Sequence, residues 1–151
     1  MKIITVPNLP KTCSSIDISF VNKEQVHYYY NLLKDVVQQH NCLGLALPQL
    51  GIDKQGFFIA QTQTLYLNTY LLTIDGIVES IEGCLSIPNH LYKIKRHKTI
   101  SLDGYYYDGN NIRKLNYLIF DMPLSFVVQH EHDHLHGISI DQIGQLHDNK
   151  S

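Results

Sequence analysis

The feature that most constrains this chain is a His-Glu-x-x-His motif formed by His130, Glu131 and His134. In a helix, residues four positions apart are offset by only about 40° around the axis, so both imidazoles point the same way. Two imidazoles on one helix face are a common pair of ligands for a single metal ion. The motif therefore predicts a helix that carries part of a metal site.

The histidines in this region occupy alternate positions from His130 to His136, a pattern that a β-strand would also place on one face. The flanking residues favour a helix instead. Asp121 and Pro123 are a typical helix start, Gly137 is a typical stop, and apolar residues recur between them at helical intervals. We therefore expect a helix of about fifteen residues here.

The position of Glu131 on this helix is informative. A rotation of about 100° per residue places its side chain near the middle of the apolar stripe. An unpaired carboxylate is costly to bury, so such a residue usually has a metal, a proton or a partner nearby. His132, His136 and Gln129 fall on the polar side, where solvated side chains are expected. The histidines that flank Glu131 make a metal ion the leading explanation.

The rest of the chain is typical of one α+β domain, spanning residues 1–151 without an internal repeat or linker. An amphipathic helix is expected over residues 22–41, with Asn22 as its N-cap. Antiparallel β-sheets should pack around the C-terminal metal-binding helix, alongside the N-terminal helix. The expected strands span residues 56–61, 65–72, 76–80, 91–107 with a break, and 112–119.

Turn-forming residues predict the connections. Pro48 interrupts the segment 45–51, so a strand or loop is expected there rather than a helix. The sequence Asp108-Gly-Asn-Asn111 predicts a hairpin turn. After Gly137, at most a short strand is expected before a polar end.

Composition limits the classes of function. A formal charge of −2 with 17% charged residues provides no basic patch, so neither nucleic acid nor an anionic membrane is an expected partner. The three cysteines are odd in number and widely spaced, which indicates a reducing compartment. The sequence has no signal-peptide pattern and no apolar stretch of about eighteen residues, so we expect a soluble, cytoplasmic protein.

Two histidines leave a catalytic metal site incomplete, because such a site usually has three protein ligands and one open position. Cys84 is the candidate for the third ligand, since a thiolate binds such metals strongly. It follows Gly83, which allows close approach of the backbone. For Cys84 taken alone, the alternative to a metal ligand is a buried cysteine that packs as a small apolar side chain.

Three segments resemble, in the same order, the signature motifs of the peptide deformylase family: Gly44-Leu-Ala-Leu-Pro-Gln-Leu-Gly51, Glu82-Gly-Cys-Leu-Ser86 and Gln129-His-Glu-His-Asp-His-Leu-His-Gly137. The second and third agree with the family pattern at every specified position. The resemblance implies a metal-dependent hydrolase that removes the N-formyl group from the N-terminal methionine of nascent polypeptides. It also implies N-formyl-methionyl peptides as partners and a monomer acting near the ribosome, encoded by a bacterium or by a virus of bacteria.

The same resemblance implies roles for individual residues. The metal ligands would be Cys84, His130 and His134. A bound water would be the nucleophile, with Glu131 as general base and then general acid. Gln49, through its side-chain amide, and Leu85, through its backbone N–H, would hydrogen-bond the oxyanion. The implied physiological ion is Fe²⁺, with Zn²⁺ or Ni²⁺ in purified protein, and one thiolate with two imidazoles suits these metals.

Substrate selection is expected to depend on an apolar pocket for the methionine side chain. By position relative to the family motifs, the residues expected to line it are Leu43, Phe126 and Val127. Plain core packing is the alternative for each of them. The backbone of Gly44 would pair with the extended peptide, as the resemblance implies. Glu82 and Arg96 are expected to form a supporting ion pair behind the site, with a surface position as the alternative for Arg96.

The chain departs from the family pattern in its first motif and at its end. Cys42 stands where the family usually has glycine, and its bulk would narrow the substrate groove or forbid a positive φ angle. Leu47 stands where alanine is usual and is expected to fill core space. Only fourteen residues follow Gly137, so the chain resembles short forms of the family that lack the C-terminal helix.

Two other functions remain open on the sequence. A zinc peptidase with the same motif would take its third ligand from downstream, where Asp141, His147 and Asp148 are the candidates. The second alternative is a non-catalytic metal-binding module. Loss of Gln49, Cys84 or Glu131 would favour it, but all three residues are present.

Overall fold

The computed structural model describes residues 2–147, which form α-helices on both sides of an antiparallel sheet. The helices are α1 (Lys23–His40), α2 (Leu124–His134) and α3 (Ile140–Ile143). The strands are β1 (Gly44–Ala46), β2 (Gly56–Ile59), β3 (Thr64–Cys84), β4 (Ile87–Tyr107), β5 (Ile112–Lys114), β6 (Leu118–Asp121) and β7 (Gln145–Leu146). Two 3₁₀ helices span Phe20–Asn22 and Leu47–Leu50. The expected α+β class is confirmed.

Helix α1 follows the predicted amphipathic pattern. Its buried face includes Val26, Leu33 and Val37, and it ends at His40, followed by the C-cap residue Asn41, whose φ of 50° lies in the left-handed region. Asn22 occupies the N-cap position, but its side-chain amide donates to the backbone oxygen of Asp17 at 2.6 Å instead of capping the first turn. The pattern therefore predicted the extent of the helix correctly and the role of the Asn22 side chain incorrectly.

The strands pair in a single antiparallel sheet. Strands β1 to β5 are neighbours in chain order, while β6 and β7 pair with further stretches of β4. Strands β3 and β4 contain 21 residues each and form a long hairpin with three register shifts, the last of them next to Cys84. Such shifts bend and twist a strand without ending it. This hairpin brings Cys84 to the site described below.

Several predicted strand boundaries were wrong. Residues 65–72 and 76–80 belong to the single strand β3, and β4 runs unbroken from Ile87. Residues 112–119 instead form parts of two strands, separated where Asn116 and Tyr117 have positive φ values of 54° and 56°. The predicted turn between β4 and β5 is confirmed: the carboxylate of Asp108 accepts hydrogen bonds from the N–H groups of Asn110 and Asn111.

The segment after β1 forms a 3₁₀ helix, Leu47–Leu50, where a strand or loop was expected. Pro48 disfavours a helix interior, but it fits the first turn of a helix because that turn needs no N–H donor there. Leu47 is fully buried in the core, in agreement with its expected space-filling role. The turn ends at Gly51, whose φ is +81°.

The sheet separates two apolar clusters, and β2 is buried on both faces. Phe58 packs in the cluster that contains α1, whereas Phe57 and Ile59 pack in the cluster that contains Val128 of α2. Successive side chains of a strand point to opposite faces, so one short strand serves both clusters. Burial of a side chain of this size contributes about 1.5–3 kcal/mol. Helix α2 is thereby held firmly against the sheet.

Helix α2 is shorter than expected, with 11 residues, because it begins after Pro123 and ends at His134. A tight turn follows and is closed at Gly137, whose φ is +73° and whose position leaves no room for a Cβ beside Lys11. The tail then adds the four-residue helix α3 as well as the expected short strand, β7. Within residues 2–147, no helix is both long and apolar enough to cross a membrane.

Candidate metal centre

Cys84, His130 and His134 converge at one point, the first from the end of β3 and the other two from α2. Their sulfur and ring-nitrogen ligand atoms all lie within 4.8 Å of one another. Cys84 Sγ lies 3.5 Å from His134 Nε2. Metal–sulfur and metal–nitrogen bonds of about 2.3 and 2.05 Å at a tetrahedral angle span about 3.6 Å, which is close to this separation. The donor set thus fits one divalent ion such as iron or zinc.

Gln129 anchors the helix that carries the two histidines. Its side-chain Nε2 donates to the backbone oxygen of His97 in β4 at 2.8 Å, and its Oε1 accepts from the His97 N–H at 3.0 Å. Gln129 is therefore buried, not solvated as the helical wheel predicted. The wheel considers one helix in isolation and cannot see that a strand backbone with free hydrogen-bonding groups lies against this face. His136 is exposed as expected, but His132 is half-buried.

Glu131 lies beside the three candidate ligands with an unsatisfied carboxylate. The residue is 5% exposed, and its Oε1 is the buried side-chain atom without a hydrogen-bond partner among the described residues. Its Oε2 would lie 3.2 Å from a Cβ placed on Gly44, so the carboxylate packs against the backbone of β1 at a residue that has no side chain. Burial raises the pKa of Glu131 to about 7. A carboxylate with these properties can take up and return a proton near neutral pH.

Glu82 holds the imidazole of His130 in place. The His130 Nδ1–H donates to Glu82 Oε1 at 2.9 Å, which leaves Nε2 for a metal. Arg96 donates to both carboxylate oxygens of Glu82, at 2.8 and 3.0 Å, and to Asp133 at 2.7 Å. Arg96 is 4% exposed, so its guanidinium lies inside the protein and not on the surface. Burial would raise the pKa of Glu82, but hydrogen bonds from His130 and Arg96 lower it to about 2.

The two histidines differ in their electrostatic surroundings. Burial lowers the pKa of His134 well below its ordinary value, so its imidazole is neutral and its lone pair is free to ligate. Burial acts in the same direction on His130, but hydrogen bonds with Cys84 and Glu82 outweigh it and raise the pKa of His130 to about 10. Since a ligating imidazole must be neutral, a metal ion and a proton compete for His130.

The amide of Gln49 is fixed in one orientation. Its Oε1 accepts the backbone N–H of Ala46 at 3.0 Å, and its Nε2 donates to Ser86 Oγ at 3.2 Å and to Cys84 Sγ at 3.5 Å. The donor end of the amide therefore faces the candidate ligands. Leu85 lies in the tight turn between β3 and β4, immediately beyond Cys84.

Sequence reasoning assigned no role to Ser86 or to Asp133. Ser86 is fully buried and orients Gln49, while Asp133 binds the far side of Arg96. Both residues lie inside the second and third signature motifs. Their presence in those motifs was the signal that could have identified them.

A cavity of about 950 Å³ opens onto the candidate ligands. The four residues expected to contact substrate all line it: Leu43, Gly44, Phe126 and Val127. Leu43 is 69% exposed and lies at the rim. Glu82 is part of the cavity wall, whereas Arg96 is not and lies behind Glu82.

Cys42 also lines this cavity, but the strain expected there is absent. The positive φ in this turn belongs to Asn41, not to Cys42, so the backbone accepts a side chain at position 42. The Cys42 thiol donates to the backbone oxygen of Gly44 at 3.5 Å. Burial raises the pKa of the Cys42 thiol to about 11. Narrowing of the substrate groove by Cys42 stays a prediction.

The downstream residues considered for a zinc peptidase do not reach the candidate ligands within the described part of the chain. Asp141 is exposed and accepts a hydrogen bond from Ser139, and His147 follows β7 at the edge of β4. The only group of three or more potential metal ligands found in residues 2–147 contains neither of them. Asp148 lies outside the described residues.

Comparison with known proteins agrees with the motifs. A family model described as polypeptide deformylase matches residues 1–149. The peptide deformylase of Karelsulcia muelleri (strain GWSS) is 33% identical over 144 residues, which cover 89% of this chain and 72% of that protein.

Solved structures share the fold. The crystal structure of a probable peptide deformylase from Synechococcus phage S-SSM7 has a TM-score of 0.80 at 26% identity, covering 94% of this chain and 98% of that one. The Met-Ala-Ser-bound class I type b peptide deformylase from Acinetobacter baumannii has a TM-score of 0.82 at 18% identity, over 95% of this chain and 97% of that one, a likeness of fold alone. Because the family model covers nearly the whole sequence, the chain belongs to the polypeptide deformylase family.

Proposed function

We propose that this chain is a metal-dependent peptide deformylase that removes the formyl group from the N-terminal methionine of nascent polypeptides. One observation carries the assignment: three ligand atoms within 4.8 Å of one another lie at a 950 Å³ cavity, next to the unpaired buried oxygen of Glu131. In this proposal Cys84, His130 and His134 hold a single metal ion. Family membership and the donor set both support that single ion.

The proposed role of Glu131 is proton transfer. A divalent ion at this position supplies Lewis acidity, which can lower the pKa of water from about 15.7 to near 7. Glu131 accepts the proton released from water and returns it to the leaving amine, because its own pKa of about 7 suits both steps at neutral pH. Its Oε1, which has no hydrogen-bond partner within residues 2–147, leaves one carboxylate oxygen available for this purpose.

Gln49 and Leu85 are the proposed donors to the oxyanion that forms on the formyl carbon. The Gln49 amide is held by Ala46 and Ser86, so its N–H groups need no reorganisation during the reaction. A preorganised donor at a developing oxyanion contributes about 3–4 kcal/mol in well-studied acyl-transfer enzymes. The Leu85 N–H lies in the turn beside Cys84 and would contribute in the same way.

The proposed substrate is an extended peptide that begins with formyl-methionine. Leu43, Phe126 and Val127 supply apolar surface to the cavity for an unbranched, uncharged side chain. The strand β1 begins at Gly44, and its backbone is the proposed partner of the peptide backbone. An acyl group larger than formyl would have to fit between the ligands and Gln49, which favours the smallest acyl group.

We further propose Fe²⁺ as the physiological ion. One thiolate and two imidazoles also accept Zn²⁺ or Ni²⁺, so cellular availability and not affinity selects iron. The substrate is made where translation starts with formyl-methionine, so the proposed setting is a bacterial cytoplasm, close to the ribosome. One copy of the chain contains every proposed site residue, so a monomer suffices.

The test is formate release from formyl-Met-Ala-Ser by protein prepared anaerobically, with bound metal measured on the same sample. Acetyl-Met-Ala-Ser is the matched control substrate, since it differs only in the acyl group. We expect one ion per chain at the central site, formate release from the formyl peptide, and no acetate release from the acetyl peptide. Cleavage of an internal peptide bond without formate release would instead support a zinc peptidase and overturn the proposal.

A further inference from the structure

A second pair of imidazoles lies outside the cavity, at the C-terminal end of α2. The Nε2 atoms of His132 and His136 are 3.2 Å apart, and the two ring centroids are 4.8 Å apart. His136 is exposed and His132 is half-buried. Metal–nitrogen bonds of about 2.05 Å that meet at about 103° span about 3.2 Å. The separation of the two nitrogens is therefore compatible with a shared metal ion.

Thr69 fixes the orientation of His132. Its Oγ1 lies 2.9 Å from His132 Nδ1, and the residue is buried in β3 at 4% exposure. When the Nδ1–H donates to this hydroxyl, the lone pair of His132 lies on Nε2, the atom that faces His136. A hydrogen bond of this kind is typical of metal-ligating histidines, because it sets both the tautomer and the ring orientation.

The backbone that carries His136 is also held in place. The His136 N–H donates to the backbone oxygen of Asp133 at 2.9 Å, and the Gly137 N–H donates to that of His134 at 3.2 Å. Gly137 lies so close to Lys11 that a Cβ there would be 2.5 Å from the Lys11 backbone oxygen. Only side-chain torsions of His136 remain to be ordered on binding, which keeps the entropic cost low.

We propose that His132 and His136 form a second, peripheral site for one divalent transition-metal ion that prefers imidazole ligands, such as Ni²⁺, Zn²⁺ or Cu²⁺. Solvent completes the coordination. Mg²⁺ and Ca²⁺ do not compete, because they prefer oxygen ligands. The site has two neutral protein ligands, whereas the central site has three including a thiolate, so the peripheral ion binds second and exchanges more readily.

The test is a titration with Ni²⁺ of untagged protein that already holds one Ni²⁺ per chain, followed by calorimetry and by counting ions after equilibrium dialysis. Untagged protein is needed because a polyhistidine tag would bind the same ion. We expect a second equivalent in the wild type and its loss in His136→Ala. The matched control is His40→Ala, which removes another exposed histidine and should retain the second equivalent. Formate release should be unchanged in both variants, which shows that they fold.

A further variant separates a built site from adventitious binding. Thr69→Val keeps the shape of the side chain and removes its hydroxyl, so it should keep the stoichiometry and weaken the second ion by about 10- to 100-fold. Two results would overturn the proposal: no second equivalent in the wild type, which would mean that the two rings merely share a hydrogen bond, or a second equivalent of unchanged affinity in His136→Ala.

Discussion

Replacement of Arg96 by methionine tests the ion network behind the site. Methionine keeps an unbranched stem but removes the guanidinium, which is 4% exposed and binds both Glu82 and Asp133. Removing one partner of a buried ion pair costs about 3–5 kcal/mol, because the other charge stays buried without compensation. The carboxylate of Glu82 is 10% exposed and that of Asp133 24%, so Glu82 accounts for most of the loss. We expect the free energy of unfolding to fall by about 3–5 kcal/mol.

The same variant makes a prediction about pH. In the folded wild type the pKa of Glu82 is lowered from 4.5 to about 2 by His130 and Arg96, which outweigh the opposing effect of burial. The stability that this carboxylate contributes is therefore complete above about pH 4.5 and is lost as the pH falls toward 2. Without Arg96 that contribution is reduced at every pH at which Glu82 is ionised. The difference in stability between wild type and Arg96→Met should accordingly narrow across this interval.

The assay is urea unfolding followed by circular dichroism on protein freed of metal, so that release of the ion does not contribute. If the same protein is unfolded by heat instead, a loss of 3–5 kcal/mol corresponds to a decrease in Tm of about 6–20 °C for a domain of this size. Lys114→Met is the matched control, since it removes an exposed cation that pairs with Asp103 at the surface, and it should change the midpoint little. Equal urea midpoints for Arg96→Met and Lys114→Met would refute the reasoning.

Four further predictions concern the site. Glu131→Gln should keep the metal and lower formate release by at least about 100-fold, because the proposed proton acceptor is lost; full activity with normal metal content would exclude Glu131 as the base. Cys84→Ala should lower the metal content measured by atomic absorption after dialysis, and an unchanged content would remove Cys84 from the ligand set. Gln49→Leu should retain metal but lower kcat about 100- to 1,000-fold, which steady-state kinetics would show or contradict. Partial burial raises the pKa of the Cys42 thiol to about 11, so it should react slowly with iodoacetamide at pH 8, and rapid labelling seen by mass spectrometry would contradict the raised pKa.

Local patterns were sufficient to predict the helix that carries the two histidines of the site. The spacing of His130, Glu131 and His134 indicated a helix and a buried carboxylate, and the structure contains both. The same is true of the hairpin turn at Asp108. In each case the residues that decide the structure are neighbours in the chain.

Features that depend on distant partners were predicted poorly. Gln129 looked solvated because the backbone of His97, which it binds, comes from a strand that the helical pattern does not contain. The half-burial of His132 depends in the same way on Thr69. Cys84 was a candidate ligand from its thiol chemistry, and the family resemblance supported it, but residue spacing alone did not predict its proximity to the histidines, because it lies at the end of the distant strand β3.

The contact between Gly44 and Glu131 limits how this protein can be re-engineered. Even a methyl group at position 44 would lie 3.1 Å from Glu131 Cγ and 3.0 Å from the backbone oxygen of Phe58, so it would displace one of them. Gly44 is therefore unsuitable for substitution in experiments that aim to change selectivity for the acyl group or for the substrate side chain. Leu43, which is 69% exposed, offers a place next to it where libraries can vary shape without disturbing proton transfer.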